Sequence, residues 1–173
     1  MKIHNLYAKP NSYNSNDNGD AILRKLSSIK YIVIHYTGNN SDTAKNNATY
    51  FANGNTRSAG AHFFVDGEGI VYRSIKMTWT AWAVGGGKQS ANGGTFYGVC
   101  TNSNSVSIEL CDIASHDATD KQIKAVKKLI KYIKKKCPNV IDVIRHFDVN
   151  GKCCPSRYVD NDKWLELKRK VGD

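Results

Sequence analysis

No stretch of this chain approaches the ~20 consecutive apolar residues that a membrane-spanning helix needs, so no stable membrane association is expected. The N-terminus, Met1-Lys2-Ile3-His4-Asn5, has no apolar h-region and does not read as a secretory signal. The expected location is the cytoplasm of the producing cell, with any outside action following release. Internal repeats and a linker to a second domain are missing too. The 173 residues therefore predict one domain, 1–173, long enough to bury a proper core. An even set of cysteines is also lacking. Cys100, Cys111, Cys137, Cys153 and Cys154 are five at irregular spacing, which argues against a disulfide framework. Reduced thiols stay available to a metal, and a Cys153–Cys154 vicinal bridge would be strained. Acidic residues are scarce, 15 against 25 Lys and Arg, for a net charge of +10. That balance attracts polyanions such as nucleic acid, anionic lipid or wall polymers and does not choose among them. No nucleic-acid-binding motif accompanies it, so no nucleic-acid partner is expected.

What is present reads as alternating strands and helices. Residues 11–20 are rich in Asn, Ser and Gly and predict a loop, with 21–26 a short helix or a wrapped segment. Tyr31-Ile32-Val33-Ile34-His35 predicts a central strand, apolar on both faces, that ends on His35. Ser41-Asp42 is placed to cap a helix to about Asn53, with Ala44, Ala48 and Phe51 on one face. Residues 62–65 and 70–75 flank Asp66-Gly67-Glu68-Gly69 as a hairpin. Residues 79–98 hold Trp79, Trp82 and several glycines without a period, as functional loops often do. In Val106-Ser107-Ile108-Glu109-Leu110-Cys111, alternation puts Val106, Ile108 and Leu110 on one face and Ser107 with Glu109 on the other. Thr119-Asp120-Lys121-Gln122 is a capping box. It opens a helix to about Lys136 with Ile123, Val126, Ile130 and Ile133 as its apolar stripe and lysines elsewhere. Those lysines form either a solvated face or a patch for anions. An amphipathic helix over 161–171 closes the chain.

The chemistry-bearing stretch is Arg145-His146-Phe147-Asp148-Val149-Asn150-Gly151-Lys152-Cys153-Cys154-Pro155. Val140, Ile141, Val143 and Ile144 predict a strand that delivers His146, and Asn150-Gly151 predicts a turn returning a lysine and two cysteines. An imidazole and a thiolate suit zinc, and a second imidazole from His35 would complete three protein ligands with an open fourth position, the layout of catalytic zinc. Taken singly, each residue has an ordinary alternative: a hydrogen-bonding strand-end histidine, or a buried cysteine filling space.

In order along the chain, Val-Ile-His35-Tyr-Thr-Gly, Ala61-His62-Phe63-Phe64-Val65, the 106–111 strand and Arg145-His146-Phe147-Asp148 followed by Lys152-Cys153-Cys154-Pro155 resemble the motifs of the type 2 N-acetylmuramoyl-L-alanine amidases. These are zinc enzymes sharing their fold with peptidoglycan recognition proteins and T7 lysozyme. The resemblance spans about residues 30–156, and the subgroup it fits is that of Gram-positive phage and prophage endolysins. It implies an α/β fold, a mixed central sheet flanked by helices. It implies zinc (Zn2+) held by His35, His146 and Cys154, with Cys154 preferred to Cys153 because it directly precedes proline. Glu109 and Lys152 fall at catalytic positions, and His62 and Trp82 are expected near substrate. Two departures stand out. Ala61 replaces a tyrosine that many relatives carry, so the general-base role is assigned to Glu109. Ala83 follows Trp82 where the subgroup often has histidine. The implied reaction is hydrolysis of the amide between N-acetylmuramic acid and L-alanine in the peptidoglycan of Gram-positive walls. If the 121–136 lysines form an anion patch rather than a solvated face, their charge would attract anionic wall polymers. The alternatives are a peptidoglycan-binding module without catalysis, a cysteine peptidase and a nucleic-acid-binding protein.

Overall fold

The computed structural model describes residues 1–172. Its framework is one six-stranded mixed sheet in the order β1-β4-β3-β5-β2-β6. The strands are β1 (Ile3–Asn5), β2 (Tyr31–Tyr36), β3 (Phe63–Val65), β4 (Val71–Arg73), β5 (Ser105–Leu110) and β6 (Asp142–Arg145). All neighbours pair in parallel except the β3–β4 hairpin. The α-helices are α1 (Ala44–Asn53), α2 (Asp120–Lys136), α3 (His146–Asn150) and α4 (Asn161–Val171). Among the described residues no helix is long and apolar enough to cross a membrane.

The period-two pattern of the strands decides the layers. Ile32 and Ile34 of β2, Val106, Ile108 and Leu110 of β5 and Val143 of β6 point into one core, where Leu129, Ile130 and Ile133 of α2 and Trp164 and Leu167 of α4 cover them. The alternate residues of the sheet face the other way. Tyr31, Val33 and Ile144 meet Val84 and Cys100, while Phe64 packs with Ala44 and Ala48 of α1. Helices thus lie on both faces of a mixed sheet, as the family resemblance implies.

Several boundaries move. The last strand begins at Asp142, not Val140. β6 is the sheet's edge, its first pairing is Asp142 with Tyr31, and Ile141 is left 69 % exposed. Thr43, not Ser41 or Asp42, caps α1, accepting from the Asn46 amide. His146 opens the short helix α3 rather than a loop. In α2 the capping box reduces to Thr119 accepting from the Gln122 amide, because the Gln122 side chain has turned inward. It is fully buried, and its Nε2 donates to Val65 O (2.8 Å) and Cys111 O (3.0 Å), tying α2 to the ends of β3 and β5. Gln122→Ala is expected to lower unfolding stability by about 1–3 kcal/mol, the cost of leaving a buried carbonyl unpaired. A urea titration checks this.

Candidate metal centre

Parallel strands gather their carboxyl ends at one edge, where open α/β sheets place ligands. The register does the rest. His35 sits opposite Glu109 on β5, and Ile34 sits opposite Arg145 on β6, so His146 emerges beside His35. The two imidazole centroids lie 4.6 Å apart.

The turn after β6 is held by Arg145 and Asp148. Asp148 accepts from the Arg145 amide (2.8 Å) and pairs with its guanidinium at 2.6 Å. The same guanidinium donates to Tyr158 O and Val159 O. Gly151 ends α3 in the left-handed region, φ 79°, and the Phe147 amide donates to Cys154 O at 2.8 Å. That closure brings Cys154 Sγ to 3.8 Å from His35 Nδ1. Cys153 points outward and is exposed.

His35, His146 and Cys154 are all buried, and one ligand atom from each lies within 4.8 Å of the others. Tetrahedral zinc with bonds of about 2.0–2.3 Å sets its ligands about 3.3–3.6 Å apart, so small side-chain shifts complete the set. The donor chemistry fits a cation. Both nitrogens of His146, Nε2 of His35 and Oε2 of Glu109 are buried without a hydrogen-bond partner, a costly state for polar atoms. Burial, reinforced by Lys152, pushes His146 down to about 4 and holds His35 well below the usual imidazole range. Both rings are therefore neutral at pH 7, the form that ligates. Burial and the nearby Glu109 raise the Cys154 thiol, so metal binding has to displace its proton. The cluster can hold a metal ion.

Glu109 Oε1 lies 4.0 Å from His35 Nδ1, with the side chain 19 % exposed. Burial pushes its carboxyl up to about 7, Lys152 pulling down and Asp42 pushing up. Lys152 and Trp82 share an open groove with His146, floored by Gly85 and Gly86 and flanked by Gln89 and Asn102. Trp79 packs instead on Tyr13, ring centroids 4.7 Å apart.

His62 does not reach the groove surface. It is 1 % exposed. Its Nδ1 accepts from the Ser107 amide (3.0 Å), which leaves the proton on Nε2 to donate to Trp79 O at 3.2 Å. The expectation that His62 touches substrate is corrected: both ring nitrogens are consumed by main chain, and the ring joins β5 to the groove loop.

A profile of the family described as N-acetylmuramoyl-L-alanine amidase matches residues 25–157, which holds every member of this cluster. The chain belongs to that family. It is 28 % identical over 144 residues to the N-acetylmuramoyl-L-alanine amidase CwlA of Bacillus subtilis (strain 168), covering 82 % of this chain and 48 % of CwlA. It is 32 % identical over 159 residues to BlyA of the same organism, covering 85 % of this chain and 42 % of BlyA. The chain thus spans less than half the length of these curated relatives. Among solved structures, a mutant endolysin from Bacillus subtilis superposes with a TM-score of 0.71 at 25 % identity, covering 99 % of both chains. The catalytic domain of XlyA gives 0.74 at 24 % identity, over 99 % of this chain and 100 % of that one. The fold is that of amidase and endolysin catalytic domains.

Within this amidase-family chain, several residues that shape the groove carry no sequence signal. Asn102 Oδ1 accepts from the Ala83 and Val84 amides, at 3.0 and 2.8 Å. Arg24 has its guanidinium on Met77 O, Asn102 O and Ser105 O and 2.9 Å from His62 Nε2. Gly93, at φ 75°, lies against the Phe147 carbonyl, where an added Cβ would stand 2.6 Å from the oxygen. Gly93→Ala is expected to loosen the groove loop from α3 and cost about 1–3 kcal/mol, read as a lowered melting temperature.

Proposed function

We propose that this chain hydrolyses the amide between N-acetylmuramic acid and L-alanine in the peptidoglycan of Gram-positive walls, with a bound zinc ion. The observation that carries the reading is the convergence of His35, His146 and Cys154 beside Glu109, with His146 opening onto the groove that Lys152 and Trp82 line. Zinc bound there would polarise the scissile carbonyl and acidify a water to a pKa near 7. Glu109 takes the proton of the attacking water and passes it to the leaving amine. Its half-buried position, with one oxygen unpartnered, suits a carboxyl that must hold a proton briefly. Lys152 donates to the carbonyl oxygen as charge develops there. Trp82 offers an apolar wall to the sugar or stem peptide.

Residues 1–173 act as one catalytic unit in this reading, and the protein meets the wall after release from the producing cell, as an endolysin does. Family membership, the names of the relatives and the cluster support it together. Lys152→Ala is expected to lower kcat about 10²–10³-fold with metal content unchanged, as removal of one oxyanion donor does. Mass spectrometry of digested walls tests the reaction itself. New L-alanine amino termini on intact glycan chains are expected. Glycan scission, peptide–peptide scission, or binding without any new termini would each replace the reading.

A further inference from the structure

Helix α2 carries an unbalanced charge. Its eight lysines, from Lys121 to Lys136, share the helix with a single acidic residue, Asp120. Solvated, salt-bridged helix faces set acids three or four residues from their lysines, and like charges at that spacing repel. Six of the lysines are exposed, and all but Lys136 lie along one side of the helix: Lys121, Lys124, Lys128, Lys131 and Lys135. At 100° per residue they fall within roughly 80° of arc, a row about 21 Å long. The first three also line a groove of about 400 Å³ beside the edge strand β1, together with Lys2 just before that strand and His4 within it. Glu68 at its rim pairs with Lys121 at 2.6 Å.

We infer that this row and groove bind a linear phosphodiester polymer of the cell wall, laid single-file along α2. The choice of a wall polymer rests on the wall hydrolysis proposed above. The row is one helix edge wide with an axial spacing of about 5 Å per lysine, which suits a chain carrying one negative charge at regular intervals. Single-stranded nucleic acid is disfavoured on the same surface, because such sites stack bases on free aromatic rings. Here Tyr72 lies stacked with His4, and Tyr132 is engaged by Arg73 through its hydroxyl and its ring. The row belongs to the helical layer that covers the β2–β5 core, whereas His35 and Glu109 face the other side of the sheet. Bound polymer therefore leaves the metal groove open and holds the protein on its substrate.

Titration of the full chain with purified poly(glycerol phosphate) tests this, alongside hydrolysis of a soluble muramoyl peptide. In roughly 0.1 M salt, Lys124→Glu/Lys128→Glu is expected to weaken polymer binding about tenfold or more and to flatten the slope of log K against log salt by about 1.4. Muramoyl-peptide hydrolysis and melting temperature stay unchanged. Lys30→Glu/Lys45→Glu, with the same change in net charge at exposed positions away from the row, is expected to weaken binding less than about twofold. Equal losses in the two variants would overturn the inference in favour of bulk charge. Tighter binding to a DNA duplex or to phosphatidylglycerol vesicles than to the polymer would overturn the assigned occupant. Polymer binding with no muramoyl-peptide hydrolysis would count against the proposed reaction and leave the row standing.

Discussion

Cys154→Ala is expected to lose metal and wall hydrolysis together, with kcat/KM falling at least about 10³-fold, further than removal of one oxyanion donor. Three protein ligands are the minimum of a catalytic zinc layout. Cys154 is the only member of this set that brings negative charge, so its loss leaves two neutral imidazoles at a site where burial already disfavours charge. Cys153→Ala is the matched control. That thiol is exposed on the outer side of the same turn, and its removal is expected to leave metal content and rate unaltered. The pair separates a zinc site from a cysteine nucleophile. A metal site is silenced by a chelator and restored by zinc, whereas a nucleophilic thiol survives chelation and is silenced by iodoacetamide. Zinc content by plasma mass spectrometry and lysis by turbidity read both variants. Normal lysis by Cys154→Ala would remove the metal mechanism.

Glu109→Gln should behave differently. The amide keeps the shape of the side chain and removes the proton acceptor, so zinc is retained while kcat falls about 10²–10⁴-fold, the usual contribution of general acid–base catalysis. KM should move little, because in the proposed reaction Glu109 serves the water and the leaving amine rather than groove contacts. Ala61 makes this test sharper. With no tyrosine before His62, and with His62 itself bound to main chain on both nitrogens, Glu109 is the carboxyl placed beside the cluster. A Glu109→Gln protein that lysed walls at full rate would send the base role elsewhere.

Much of this site was legible because strand physics is simple. Apolar residues on both faces of 31–35 marked a central strand, and strand ends in such sheets are where ligands bind, which singled out His35. Alternation in 106–111 puts Glu109 on the face opposite Val106, Ile108 and Leu110, and the register sets it across from His35. What stayed illegible depends on single long-range contacts. Residues 13–23 have no period, and they are fixed by isolated bridges to Ala81 and Trp79. Arg24 carries no motif, yet burial pushes its guanidinium down to about 10 and it donates to the Met77, Asn102 and Ser105 carbonyl oxygens. His62 looked like a groove residue because it adjoins a site strand, and only the Ser107 amide reveals that its ring is spent on the fold. The sequence position of Gln122 fits a capping box, but the side chain serves α2's attachment to the sheet.

The central claim is that two imidazoles and one sulfur share a single ion. Cobalt(II) substitution reads it most directly, since thiolate ligation gives a near-ultraviolet charge-transfer band and a tetrahedral site gives intense visible bands. One equivalent of cobalt with both features is expected, the charge-transfer band vanishing in Cys154→Ser and persisting in Cys153→Ser. A band indifferent to Cys154, or no specific uptake of cobalt or zinc by the folded protein, would contradict the account.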